Sequence, residues 1–204
     1  MTAAPRQGSR IQQKNRRVIL QAALSEFSTR GFNGTTIDRI AETASLSKPN
    51  VLYYFPSKEA IHLQLLETHL DLWLDPLRAL SATGEPREQI MGYMRRKLDM
   101  SRNYPQESRL FANEVLQGAP HLERIMAGGL HDLVAEKAAI IADWIAQGRI
   151  AAVDPHHLII SIWALTQHYA DFEVQVRAVL GQTRDPFAEA ERFLDHLYSR
   201  MLAL

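Results

Sequence analysis

The chain contains no cysteine, and no apolar run approaches the roughly eighteen residues a membrane-spanning helix needs. The first absence excludes disulfides and thiolate chemistry and fits a cytoplasmic protein; the second excludes a spanning helix and any membrane partner that would need one. The opening MTAAPRQGSRIQQKNRR is basic but leads into no apolar segment of signal-peptide type, so export is not expected. Glycine is sparse, and no Gly-rich phosphate loop, HExxH or GxSxG occurs. Eight histidines are present without a metal spacing: His156 and His157 are adjacent and diverge on a helix, and His62 and His69 are too far apart for an HxxxH pair. Neither an enzyme constellation, a cofactor nor a metal site is expected. Strand-period alternation and internal repeats are missing as well.

What is present is helix. With 46% hydrophobic residues the chain can bury a sizeable core, and caps and breakers divide it into about nine helices, an all-α fold. Formal charge sums to zero but is unevenly spread: residues 1–60 hold nine Lys/Arg against four Asp/Glu, and the first acid is Glu26. Arg6, Arg10, Lys14, Arg16 and Arg17 read as a basic arm able to lie along phosphates.

The first helix spans about Gln12 to Arg30, with Leu20, Ala23, Leu24 and Phe27 at helical spacing and Gly31 as its stop. Thr36 caps a short helix carrying Ile37, Ile40, Ala41 and Ala44; Ser45-Leu46 breaks it, and Ser47 caps a second in which Pro49 costs no amide hydrogen bond. That second helix buries Leu46, Val51 and Phe55, which leaves Lys48, Asn50, Tyr53 and Tyr54 on a face free of carboxylates. Two short helices and a turn make a helix-turn-helix. Such a face suits a major groove: Lys48 for guanine or phosphate, Asn50 for adenine, the phenols for phosphates. Ser57 and Lys58 open a long helix whose free N–H groups and ammonium would clamp a further phosphate.

The run AETASLSKPNVLYYFPSKEAI resembles the DNA-binding signature of the TetR family of bacterial transcriptional regulators, with Ala41, Ser47, Phe55, Lys58 and Glu59 in matching places. Ser45 stands where the family often has glycine, which asks it to accept an unusual turn conformation, and Leu52 where it often has tyrosine. The resemblance implies a helix-turn-helix head over residues 1–56, a ligand-binding and dimerisation body over 57–204, a palindromic double-stranded operator and a small-molecule effector. Thr36, Ser47, Lys48, Asn50, Tyr53, Tyr54 and Lys58 are the DNA-facing set.

The body reads as a long helix from Lys58 to about Leu80 with Leu63, Leu66, Leu70, Trp73, Leu74 and Leu77 in a stripe, then helices at about 87–102, 106–116 and 120–147, the last bent at Gly128-Gly129. Asp154-Pro155 and Asp185-Pro186 open the final two, each an acidic cap followed by proline. Their stripes, His157, Leu158, Ile162 and Leu165 on one and Phe187, Ala190, Leu194, Leu197 and Met201 on the other, predict a four-helix homodimer interface that sets two recognition helices about 34–36 Å apart.

Within the family, LDLWLDPL, KLDMSRNYPQESRLF and VDPHHLIISIWALTQHYADF resemble regulators of pyrimidine utilisation that respond to uracil and thymine. Trp163 and Gln167, four apart, share a helix face, so an indole could stack a flat base while a carboxamide reads its edge. Trp73, on the helix that begins at the head, would couple occupancy to DNA. Lys97, Asn113, Glu114 and His168 are further polar candidates for the same cavity. Asn113 also points to a changed preference, toward a reduced pyrimidine or a purine. An apolar effector, or a DNA-binding dimer with none, are the competing readings.

Overall fold

In the computed structural model, which describes residues 10–122 and 129–204, ten helices and no strand are found among the described residues. They are α1 (Arg10–Gly34), α2 (Ile37–Thr43), α3 (Lys48–Tyr54), α4 (Lys58–Arg78), α5 (Pro86–Asn103), α6 (Pro105–Leu116), α7 (Leu130–Ala146), α8 (Pro155–Asp171), α9 (Glu173–Leu180) and α10 (Pro186–Met201).

The caps sit where hydrogen-bonding side chains were available. Thr36, Ser47 and Ser57 accept from the amides of Arg39, Asn50 and Ala60, and Asp154 and Asp185 accept from those of His157, Phe187 and Ala188. Gly31 takes φ 68°, the left-handed turn that ends the regular part of α1. Ser45 does adopt left-handed backbone, φ 54°, between α2 and α3.

Three expectations need correction. Arg10, Lys14, Arg16 and Arg17 are helical residues of α1 rather than a loose arm; Arg6 lies outside the described residues. The helix expected from Pro120 begins at Leu130, and residues 120–122 form a turn that follows the positive φ (56°) of Ala119; Gly128 lies outside the described residues, and Gly129 is the N-cap of α7 instead of a bend. Phe172 leaves helical geometry between α8 and α9, which adds one helix to the expected count.

Two apolar clusters hold the molecule. One joins Ile19, Leu24, Phe27, Ile40, Val51 and Phe55 of the first three helices to Ile61, Leu65 and Leu66 of α4 and to Leu110 and Phe111 of α6. The head therefore completes its core with body residues, as a three-helix unit too small to bury enough surface alone must. The other gathers Leu77, Ile90, Met94, Leu98, Ile141, Trp144, Leu158, Ile162, Leu194 and Tyr198 from α4, α5, α7, α8 and α10. Each fully buried side chain of this kind contributes roughly 1.5–3 kcal/mol. Helix α1 packs along α6, and α8 lies against α5, α6 and α7.

Candidate functional site

The first site is the outer face of α3. Val51 is buried beneath it, while Tyr53 is 70% exposed and Lys48 and Leu52 are also exposed. The Tyr53 hydroxyl accepts from Gln12 Nε2 (3.4 Å) and the Tyr54 hydroxyl from Asn15 Nδ2 (3.1 Å), so each phenolic hydrogen can still donate outward. Their rings meet edge to face at 5.1 Å.

A carboxylate does stand at this face: Lys48 Nζ pairs with Asp38 at 2.9 Å, both side chains exposed. Such a surface pair is worth about 0–1 kcal/mol and exchanges readily for a phosphate or a base edge. Arg16, though exposed, is engaged within the chain, donating to the Tyr54 carbonyl and Gln64 while its guanidinium lies 4.2 Å over the Phe55 ring. Lys58 is turned inward. Its ammonium donates to the Phe32 and Thr35 carbonyls (2.8 and 3.0 Å) and stands 4.1 Å over the Phe32 ring, so it ties the start of α4 to the α1–α2 joint rather than projecting to a phosphate.

The second site is a cavity of about 470 Å³, within the roughly 300–1,000 Å³ common for small-ligand pockets. Trp73, Asn113, Trp163 and Gln167 all line it, and so do Arg109 and Asp171, which the sequence reading missed. The signal for Asp171 was available: Trp163, Gln167 and Asp171 follow one another at four-residue steps down a single face of α8. Ser28 and Thr29, from α1 of the head, also line the cavity.

The two indoles differ. Trp163 Nε1–H donates to the Tyr93 hydroxyl, fixing that ring, whereas Trp73 Nε1–H is buried with no hydrogen-bond partner. Asp171 accepts from Ser108 Oγ; burial nevertheless pushes its carboxyl above the ordinary range, with the Ser108 bond opposing.

Lys97, Glu114 and His168 are not among the lining residues. Lys97 is fully buried behind the cavity wall, its Nζ 4.0 Å from the Trp73 ring and 3.5 Å from the Trp73 carbonyl, and burial lowers its pKa to about 6 against a weaker pull from Asp171. Glu114 turns away from Asn113, its neighbour on α6, toward His62 and His121. His168 is exposed and stacks on Phe172.

No helix among the described residues is long and apolar enough to cross a membrane. Residues 19–65 match the family of bacterial regulatory proteins, tetR family, and residues 66–204 match the YcdC-like protein C-terminal region. The chain is 51% identical to the HTH-type transcriptional regulator RutR of Escherichia coli strain K12 over 86% of its own length and 82% of that protein's. Among solved structures, SCO4942 of Streptomyces coelicolor superposes with a TM-score of 0.68 at 26% identity, covering 92% of this chain and 98% of that one. AibR, solved with isovaleryl coenzyme A and operator DNA, shares the fold with a TM-score of 0.70 at 18% identity, over 90% and 97% of the two chains. The recognition helix with its capped turn, the all-helical body and these matches together place the chain in the TetR family, as a DNA-binding transcriptional regulator rather than an enzyme.

Proposed function

We propose that this regulator is a cytoplasmic repressor of pyrimidine or related nitrogen catabolism, released from its operator by a uracil- or thymine-like base. The observation that carries the reading is the row Trp163, Gln167, Asp171 in one cavity wall, with Trp73, Asn113 and Arg109 completing the cavity. Trp163, held by Tyr93, supplies a flat platform. The Gln167 carboxamide both donates and accepts, matching the alternating carbonyl and N–H of a pyrimidine edge, and Asp171 can accept a second ring N–H. A ring carbonyl reaching Trp73 Nε1 would give that donor its partner.

The head acts through Lys48, Asn50, Tyr53 and Tyr54, with Thr36 and Ser47 as caps that hold the two helices in register and Lys58 as an internal strut. Residues 1–56 serve as the DNA-binding part and 57–204 as the ligand-binding and dimerisation part. A second copy pairs through α8 and α10 for a palindromic operator. Most of the expected stripes is used internally, since Leu158, Ile162, Ala190 and Leu194 are buried in the chain's own core and Leu165, Phe187, Leu197 and Met201 pack partly buried against it; the apolar side chains of these helices left for a partner are others, Ile160 and Phe193, 49% and 57% exposed.

The test is a titration of uracil, thymine, dihydrouracil, a purine and a medium-chain acyl ligand, followed by tryptophan emission. One ring should saturate, and Gln167→Ala should weaken it at least about tenfold while operator binding by the ligand-free variant is retained. Unchanged affinity in Gln167→Ala would remove the cavity from the mechanism, and saturation by the acyl ligand alone would replace the base with an apolar effector suited to the leucine-lined walls.

A further inference from the structure

On the far side of α6 from the effector cavity, three potential metal ligands that are remote in sequence meet at the joint between head and body. His62 comes from the second turn of α4, Glu114 from the last turn of α6 and His121 from the turn that follows it. One ligand atom from each lies within 4.8 Å of the others. His121 Nδ1 is 3.2 and 3.3 Å from the two Glu114 oxygens, and His62 Nε2 is 3.8 Å from Oε2. Two ligands each about 2.1 Å from a tetrahedral zinc stand about 3.4 Å apart, so the separations from Glu114 are close to those of a coordination shell, and the remaining one, within 4.8 Å, needs only a small side-chain adjustment.

The surroundings point the same way. His62 is only 2% exposed, its Nδ1 has no hydrogen-bond partner, and its Nε2 is beyond hydrogen-bond length from the carboxylate. A buried imidazole in that state forfeits hydrogen bonding it would have had in water. The Glu114 carboxylate is oriented by the His121 backbone N–H, which donates to Oε1 at 2.6 Å, the kind of outer contact that fixes a ligand in place. Phe27 and Phe32 wall the rings, with centroids 4.7 and 4.9 Å from His62 and 4.6 Å from His121 in the case of Phe32, so the site is dry on the head side. His121, with a side chain 20% exposed, leaves an approach from solvent.

We infer that His62, Glu114 and His121 form a site for one divalent transition metal, zinc by the chemistry of two imidazoles and a carboxylate, which joins the start of α4 to the end of α6. A fourth position would be left for water. All three ligands lie beyond residue 56, but His62 stands in the stretch of α4 whose Ile61, Leu65 and Leu66 complete the core of the DNA-binding head, so a metal shared with Glu114 and His121 would staple that stretch to the end of α6. No local spacing announces the site, since the fold rather than a motif brings the residues together.

The experiment uses the full chain, stripped with a chelator and then titrated with zinc chloride by calorimetry, and separately with cobalt chloride by visible absorption. One zinc per chain, with micromolar or tighter affinity, a raised melting temperature and intense four-coordinate cobalt bands are expected. Both His121→Ala and Glu114→Gln should weaken zinc at least tenfold and abolish the bands. His121→Ala is the decisive variant because its side chain is partly exposed and its removal leaves the core packed. Absence of stoichiometric binding, or binding that persists in His121→Ala and vanishes instead in a His156→Ala, His157→Ala variant, would overturn the site and leave a hydrogen-bonded core cluster.

Discussion

Trp73 and Trp163 line the same cavity, from α4 and α8, in unlike chemical states. Trp163 has spent its N–H on Tyr93, while Trp73 keeps a buried donor without a partner. Trp73→Phe should therefore cost no more than about 1–2 kcal/mol of stability in urea denaturation, because no hydrogen bond is lost, yet weaken the proposed pyrimidine effector about tenfold in the emission titration. Lys97, behind Trp73, gives a second residue-scale prediction. Its pKa falls to about 6 in the fold, so between about pH 6 and 10.5 the unfolded chain binds more protons and stability rises with pH through that window. Lys97→Met should flatten the dependence and stabilise the protein by about 1–4 kcal/mol near neutral pH, as thermal melts across the range would show. A melting curve in Lys97→Met with the parent's pH slope would place the titration elsewhere.

Among the elements, the α2–α3 turn carries a visible cost. Ser45 holds left-handed backbone, φ 54°, that glycine adopts freely, so Ser45→Gly should raise stability by about 0.5–1 kcal/mol with operator affinity unchanged or improved. The turn was legible in the sequence because caps and breakers act within four residues: Thr36, Ser47, Ser57, Asp154 and Asp185 all cap the helices expected of them. The Trp163 and Gln167 pairing in one cavity was legible for the same local reason. Directions set by packing between distant helices were not. Asn113 and Glu114 are neighbours, but successive residues on a helix point about 100° apart, and only the docking of α6 between α1 and α8 decides which reaches the cavity. Lys58 was assigned to phosphate by its place at a helix start, whereas its actual partners, the Phe32 and Thr35 carbonyls, lie on a different segment. The break at Phe172 carries neither proline nor glycine to mark it.

For the whole molecule, the exposed Phe193 makes assembly testable: Phe193→Asp should convert a dimer to a monomer in light scattering and lower operator affinity by at least about a hundredfold, since two half-sites would no longer be bound together. A dimer unaltered by that charge would move the interface off α10. The route between the sites is shorter than a single long helix would provide. Ser28 and Thr29 belong to α1, the helix on which α2 packs, with α3 packed in turn on α2, and they also form part of the cavity wall. An effector that pushes on that wall pushes on the head itself, and thermodynamic linkage then acts in both directions. The affinity of free protein for its effector must differ from that of protein already seated on its operator, by the same factor through which effector changes operator binding. A cell's apparent sensitivity to the effector is accordingly a property of promoter occupancy as much as of the cavity.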